Sequence, residues 1–212
     1  MKFIILLSIL IFLSTCSSTQ TVKERFTVDL RSHQIPMGTI DAQFDSAFSF
    51  GGLRKNDIIV SYFPVEDAVC LQYKNDFITY YVFWNKVNRI AFLRALENYK
   101  EDYNQRNFGK SSRKSKDNYE KVNGYLIWQS FSFTVQANGH PDIGMGYYFK
   151  NKAPYFTIFQ HKAYFHDLQS KQKNRQSTEI TIYFTRAQAD NLAAIFNTLY
   201  LQEYNANIIF AP

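Results

Sequence analysis

Between residues 40 and 50 the side chains alternate, with Ile40, Ala42, Phe44, Ser46, Phe48 and Phe50 on one side and Asp41, Gln43, Asp45, Ala47 and Ser49 on the other. A period of two describes a strand with one buried and one wet face. The pattern recurs in Ile58 to Phe63, in Ala68 to Tyr73 and in Phe77 to Trp84, with Pro64 punctuating the first gap. The period then changes. Phe92, Leu96, Tyr99 and Tyr103 stand at i, i+4, i+7 and i+11, one apolar stripe of a helix. Asn85 can cap it by accepting the orphan N–H groups of the first turn. The spacing predicts a helix over 86–106.

The second half runs through a similar series. Strands are expected at Tyr125 to Gln136, Ile143 to Phe149, Tyr155 to Gln160 and Glu179 to Phe184. Thr185 and Gln188 then have the spacing of a capping box, and Leu192, Ile195, Phe196 and Leu199 supply the stripe of a helix over 185–203. FSF at residues 48–50 is echoed by FSF at 131–133, and ITYY at 78–81 by ITIY at 180–183. The expected class is α+β, antiparallel and β-rich: two similar halves, each of several strands closed by one amphipathic helix. An internal duplication is one reading of the echo, with Phe48 and Phe131 in equivalent places. Chance likeness of aromatic strands is the other. The expected division is 1–16 leader, 17–107 first half, 108–121 basic linker and 122–212 second half.

The leader decides the compartment. Lys2 precedes the apolar run Phe3 to Leu13, broken only by Ser8, and Ser14, Thr15, Cys16, Ser17 and Ser18 follow. That is the three-part layout of a secretion signal. A helix of eleven residues reaches only about 16 Å, roughly half of a bilayer core, so export and cleavage are expected. The segment Leu13-Ser14-Thr15-Cys16 resembles the lipobox of bacterial lipoproteins. The resemblance implies lipidation of Cys16, a membrane anchor through that residue and a place in the cell envelope, at the outer membrane where the source has two membranes. Cys70 would then have no disulfide partner, and its strand-like surroundings predict a buried, inert thiol.

Hydrophobic residues make up 46% and aromatics 17% of the chain, which places it among packed globular proteins. The net charge of +6 is concentrated in RNFGKSSRKSKDNYEK at 106–121 and QSKQKNRQS at 169–177. These read as a solvated linker and a solvated hairpin loop, or as a contact surface for anionic lipid, wall polymer or nucleic acid. Export speaks against a nucleic-acid partner.

Catalytic patterns are sparse. His161 and His166 are an odd number apart and would face opposite sides of a strand, so a shared metal is not expected. His166-Asp167 lacks a nucleophile motif beside it, and His140-Pro141-Asp142 reads as turn chemistry. GMG at 144–146 leads into a strand and is no phosphate loop. No cofactor is expected. The aromatic residues remain: Tyr62, Tyr80, Tyr81, Trp84, Tyr147, Tyr148 and Tyr155 either line a ligand or partner surface or form the core of a sheet under helices. The expected function is a non-enzymatic binding or assembly module of the envelope, its partner a protein or glycan. A carrier or sensor of an apolar ligand held between sheet and helices is the alternative, and a wall hydrolase using an acidic or His residue is a third class.

Overall fold

The computed structural model describes residues 26–45, 52–108, 114–130, 136–150, 152–165, 175–197 and 200–201. The leader with Cys16, and Phe48, Phe131, His166 and Asp167, lie outside them. In chain order the elements are β1 (Ile35–Asp45), β2 (Leu53–Phe63), β3 (Ala68–Asn75), β4 (Ile78–Asn85) and α1 (Lys86–Gln105). Then come β5 (Lys114–Asn123), β6 (Tyr125–Ser130), β7 (Ala137–Gly139), β8 (Asp142–Lys150) and β9 (Ala153–Gln160). The short pair β10 (Tyr164–Phe165) and β11 (Arg175–Gln176) precedes β12 (Ile180–Phe184) and α2 (Arg186–Phe196).

Ten of the strands form one sheet in the order β5-β8-β9-β12-β1-β2-β3-β4-β6-β7, and every neighbouring pair is antiparallel. The protein is thus β-rich and α+β, with both helices on one face of the sheet. The sheet curls strongly: Tyr73 on β3 donates its hydroxyl proton to Gln160 Oε1 on β9, 2.7 Å away, although three strands intervene in the sheet order. Where β1 bends, Gly38 occupies φ +113° beside a register shift, a conformation that a side chain would strain.

Alternation sorts the side chains onto two faces. Ala42 and Phe44 of β1, Ile58 and Val60 of β2, Leu71 and Tyr73 of β3, and Val82 and Trp84 of β4 point to the concave side. There they join Ile143, Met145, Ile158, Ile182 and the helix residues Phe92, Leu96, Tyr99, Leu192 and Phe196 in one core. A second, smaller core lies on the convex side, where Val28, with Phe26 and Leu30, covers Phe63, Cys70, Phe83, Tyr125 and Ile127. Cys70 is buried there, and burial pushes its thiol pKa upward, which disfavours the reactive thiolate.

The helix starts obey the caps that the sequence announces. Asn85 Oδ1 accepts from the Asn88 N–H at 3.0 Å, and Thr185 and Gln188 form a reciprocal capping box. α1 ends where Arg106 turns left-handed, φ 55°, and returns its N–H to the last turn. α2 is interrupted within the range that the stripe suggests. It breaks after Phe196, where Asn197 adopts an extended backbone and its N–H bonds only three residues back, to Ala194; Tyr200 and Leu201 are helical again, the Leu201 N–H donating to the Asn197 carbonyl at 3.2 Å.

Two further expectations are corrected. Residues 114–123 are not linker: they form β5, an edge strand paired to β8. Tyr119 and Val122 pack on the core while charges such as Glu120 and Lys121 stay outside, as suits an edge that must not recruit another strand. The echo also does not extend to the sheet order. A meander followed by a capped helix occurs twice, as β2-β3-β4-α1 and β8-β9-β12-α2. However, β1 joins β2 whereas β6, its counterpart by echo, joins β4 rather than β8, so duplication is not shown and the halves share a single sheet.

Candidate functional site

The last turns of α1 build an aromatic-lined surface concavity. Tyr103 and Arg106 come from the helix end and Phe108 from the chain that leaves it. Phe149 of β8 and Pro154 of β9, direct partners in the sheet, close the other side. Together the five side chains line a cleft of about 440 Å³, within the size range of small-ligand and peptide-anchor sites.

Its floor is an aromatic stack. Phe108 lies 5.2 Å from Phe149 in an edge-to-face arrangement and 4.9 Å from Tyr147, with Tyr99 behind at 5.7 Å. Such pairs prefer these geometries because ring edges and faces carry opposite partial charge. Tyr99 ties the floor to the wall by donating to the Pro154 carbonyl at 2.8 Å. Tyr119 donates to Asp102 Oδ2 at 2.8 Å, binding β5 to the helix. Over the open side of Tyr103 lies the Arg186 guanidinium, 5.5 Å from the ring centroid, a cation–π contact that connects α2 to the same corner.

Ionisation of these phenols is opposed. Burial, followed by neighbouring Tyr103, pushes the Tyr99 pKa up; burial and then the Asp102 carboxylate do the same for Tyr119. Tyr73 and Tyr183 are raised for related reasons, burial first in both. The native state therefore holds its protons past pH 10, where the unfolded chain releases them. Stability from these groups is complete below about pH 10 and falls as pH rises toward the folded values. In an alkaline titration, tyrosinate absorbance at 295 nm is expected to rise together with the loss of near-UV dichroism. Phenols that all titrate near pH 10 with the dichroism intact would contradict the burial described here.

The residues singled out by sequence do not converge. Tyr62 is buried and donates to Asp67 Oδ1 at 3.2 Å. Trp84 is wholly buried between Phe92 and Phe196, with centroids at 5.9 and 5.2 Å. Tyr147 is buried beneath Phe108 and so supports the cleft from below. Tyr148 and Tyr155 stand on the convex side, partly exposed, both against Tyr183. Tyr183 in turn donates to Asp45, which also meets Lys150. Tyr80 is buried and Tyr81 partly so.

The cleft residues Tyr103, Arg106, Phe108, Phe149 and Pro154 were not separable by sequence from helix stripe, basic stretch and strand. The usable signal was Tyr103, the last apolar position of the helix stripe, two residues before α1 ends. It is 40% exposed, where the preceding stripe residue Tyr99 is fully buried.

His140 and His161 sit against Tyr125 and Phe159 at 5.2 and 4.5 Å, and the His161 N–H donates to the Asp142 carbonyl. Asp142 is paired with Lys121 at 2.9 Å, and hydrogen bonding to that lysine lowers its pKa. These contacts fasten strand ends. Among the described residues no three His, Cys, Asp or Glu side chains are grouped as a metal would need.

A protein-family model described as "Uncharacterised Treponema protein" matches residues 20–203. No curated protein and no protein of solved structure matches the chain.

Proposed function

The chain belongs to the family described as uncharacterised Treponema proteins, and from that premise we propose that it is an exported, lipid-anchored protein of the cell envelope that binds or assembles with other envelope components without catalysing a reaction. The observation that carries the reading is the cleft of Tyr103, Arg106, Phe108, Phe149 and Pro154, an aromatic concavity on the surface of a packed scaffold. Aromatic faces beside a guanidinium suit recognition.

The interior favours surface recognition over carriage. Between sheet and helices the cavity bounded by Leu71, Tyr73, Val82, Trp84, Ile143, Ile158, Gln160 and Ile182 measures about 10 Å³. A small apolar ligand needs some hundreds of cubic ångströms. Carriage would therefore require the helices to leave the sheet.

Export and anchoring rest on the leader and on Cys16 in Leu13-Ser14-Thr15-Cys16. In cells fed a clickable palmitate analogue, the wild-type protein is expected to carry label in the membrane fraction. Cys16→Ala is expected to lose it and to leave the membrane. An unlabelled wild type would refute the anchor. Crosslinked capture of the anchored protein from intact envelopes tests the other half: recurrent partners support an assembly module, and recovery of the bait alone counts against it.

A further inference from the structure

We propose that the end of the molecule bearing Val65, Val87 and Ile90 lies on the bilayer to which Cys16 tethers the chain, and that these side chains enter its surface; this assignment rests on the anchored reading above. Large aliphatic side chains exposed singly are ordinary. These three are gathered. Val65, 82% exposed, is in the β2–β3 turn, and Asp67 of that turn is fastened to Arg89 in the first turns of α1. Val87 and Ile90, 71% and 41% exposed, stand three apart on that helix and so are neighbours on its outer surface. Helical side chains lean toward the helix start, which carries Val87 out at the same end as the turn.

The place where the chain enters the fold decides the occupant. The described structure begins at Phe26, which packs on Tyr125 with ring centroids at 6.3 Å. Tyr125 opens β6 and lies opposite Phe83, near the end of β4 that leads into α1, so the entry point is at this same end of the sheet. From there the chain reaches Ser32, whose hydroxyl donates to Glu66 Oε1 at 2.9 Å, one residue from Val65. Cys16 precedes Phe26 by ten residues, a span of at most about 36 Å. A lipid on Cys16 therefore holds the patch near the bilayer, at an effective concentration where a small apolar contact is enough to fix an orientation.

Charge does not select the lipid. At this end Arg31 pairs with Asp29, Arg89 with Asp67 and Lys121 with Asp142, while Lys86 and Glu66 are of opposite sign. The contact is apolar, and zwitterionic lipid is enough for it. Its consequence lies at the far end of α1, a helix of twenty residues and about 30 Å. With Val65 and Val87 in the bilayer surface, the aromatic cleft faces away from it and stays open to partners.

The test uses the palmitate-labelled protein, purified and reconstituted in phosphatidylcholine vesicles. An environment-sensitive fluorophore is placed at Val65→Cys, at Val87→Cys or, as the control, at Phe77→Cys; Cys70 is buried. Phe77 is 76% exposed in the β3–β4 turn, at the opposite end of β3 and roughly 25 Å away. Nitroxide lipids are expected to quench the first two labels at least about threefold more than the control, because side chains at the headgroup–acyl boundary are within their reach. Adding phosphatidylglycerol should change little. Val65→Asp with Val87→Asp should at least halve the quenching of a label at Ile90→Cys while near-UV dichroism is unchanged. First two labels quenched no more than the control, quenching only with the anionic lipid, or an Ile90→Cys label indifferent to the two aspartates would each overturn the assignment. A wild type without palmitate refutes the anchored reading and this assignment with it. A palmitate-bearing protein whose labels stay in water overturns the orientation alone.

Discussion

Phe92→Ala is expected to cost about 3 to 5 kcal/mol, lowering the thermal midpoint by roughly 6 to 20 °C for a chain of this size. Phe92 is fully buried and touches every layer of the main core. Its ring meets Trp84 of β4 at 5.9 Å, Phe156 of β9 at 5.4 Å and Phe196 of α2 at 4.8 Å. Truncation therefore removes the transfer energy of a large ring and leaves a hole where two helices and both flanks of the sheet meet. The neighbours are themselves wedged by one another, so the site cannot collapse to fill it. Val87→Ala, one turn earlier on the exposed side of the same helix, should stay within about 0.5 kcal/mol. Denaturant melts of both variants provide the check. A Phe92→Ala loss below about 1 kcal/mol would mean that α1 is not seated as described.

The second large effect is expected at Arg89, whose side chain is completely buried. Its Nη1 donates to the Asp67 carbonyl at 2.6 Å and the Trp84 carbonyl at 3.2 Å, and its Nη2 to Asp67 Oδ1 at 2.7 Å. One guanidinium thus fastens the β2–β3 turn to the start of α1. Asp67 sits at φ 44° in that turn and also accepts from Tyr62. Arg89→Met keeps the apolar stem but strands two carbonyls, and should cost about 2 to 4 kcal/mol. The figure lies below the upper range for a broken buried pair because the Asp67 side chain is partly solvated. Adding Asp67→Asn should cost less in the Arg89→Met background than in the wild type, since the ion pair is already gone. Strict additivity in that double-mutant cycle would show that the pair is not coupled.

Local chemistry was the legible part of the sequence. Asn85 and Thr185 stand where period two gives way to period 3.6, and both cap their helices because a short polar side chain at that junction has orphan N–H groups within reach. The central strands were legible too, since a half-buried strand must alternate. β5 was not, because an edge strand carries its charges outward and resembles a loop in composition. The strand order was also out of reach: which edge β6 joins depends on how the whole sheet curls, and nothing in Tyr125 to Ser130 encodes it.

The same limit governed the aromatic residues. Trp84 and Tyr103 are equally plausible as core or as surface from their types alone. Burial, decided by α2 settling over Trp84 and by the helix ending just beyond Tyr103, separates them.

The pairing of β1 with β12 sets the order in which such a chain can reach its native state. Gln43 lies opposite Tyr183 and Phe44 opposite Ile182, so the first strand of the sheet waits for nearly the last. Until then β1 has one edge satisfied by β2 and one open, and the concave core lacks its second helix. Closing so long a loop makes for slow, high-contact-order folding. Until residues 180–184 arrive, that open edge of β1 is a template to which another chain could add a strand.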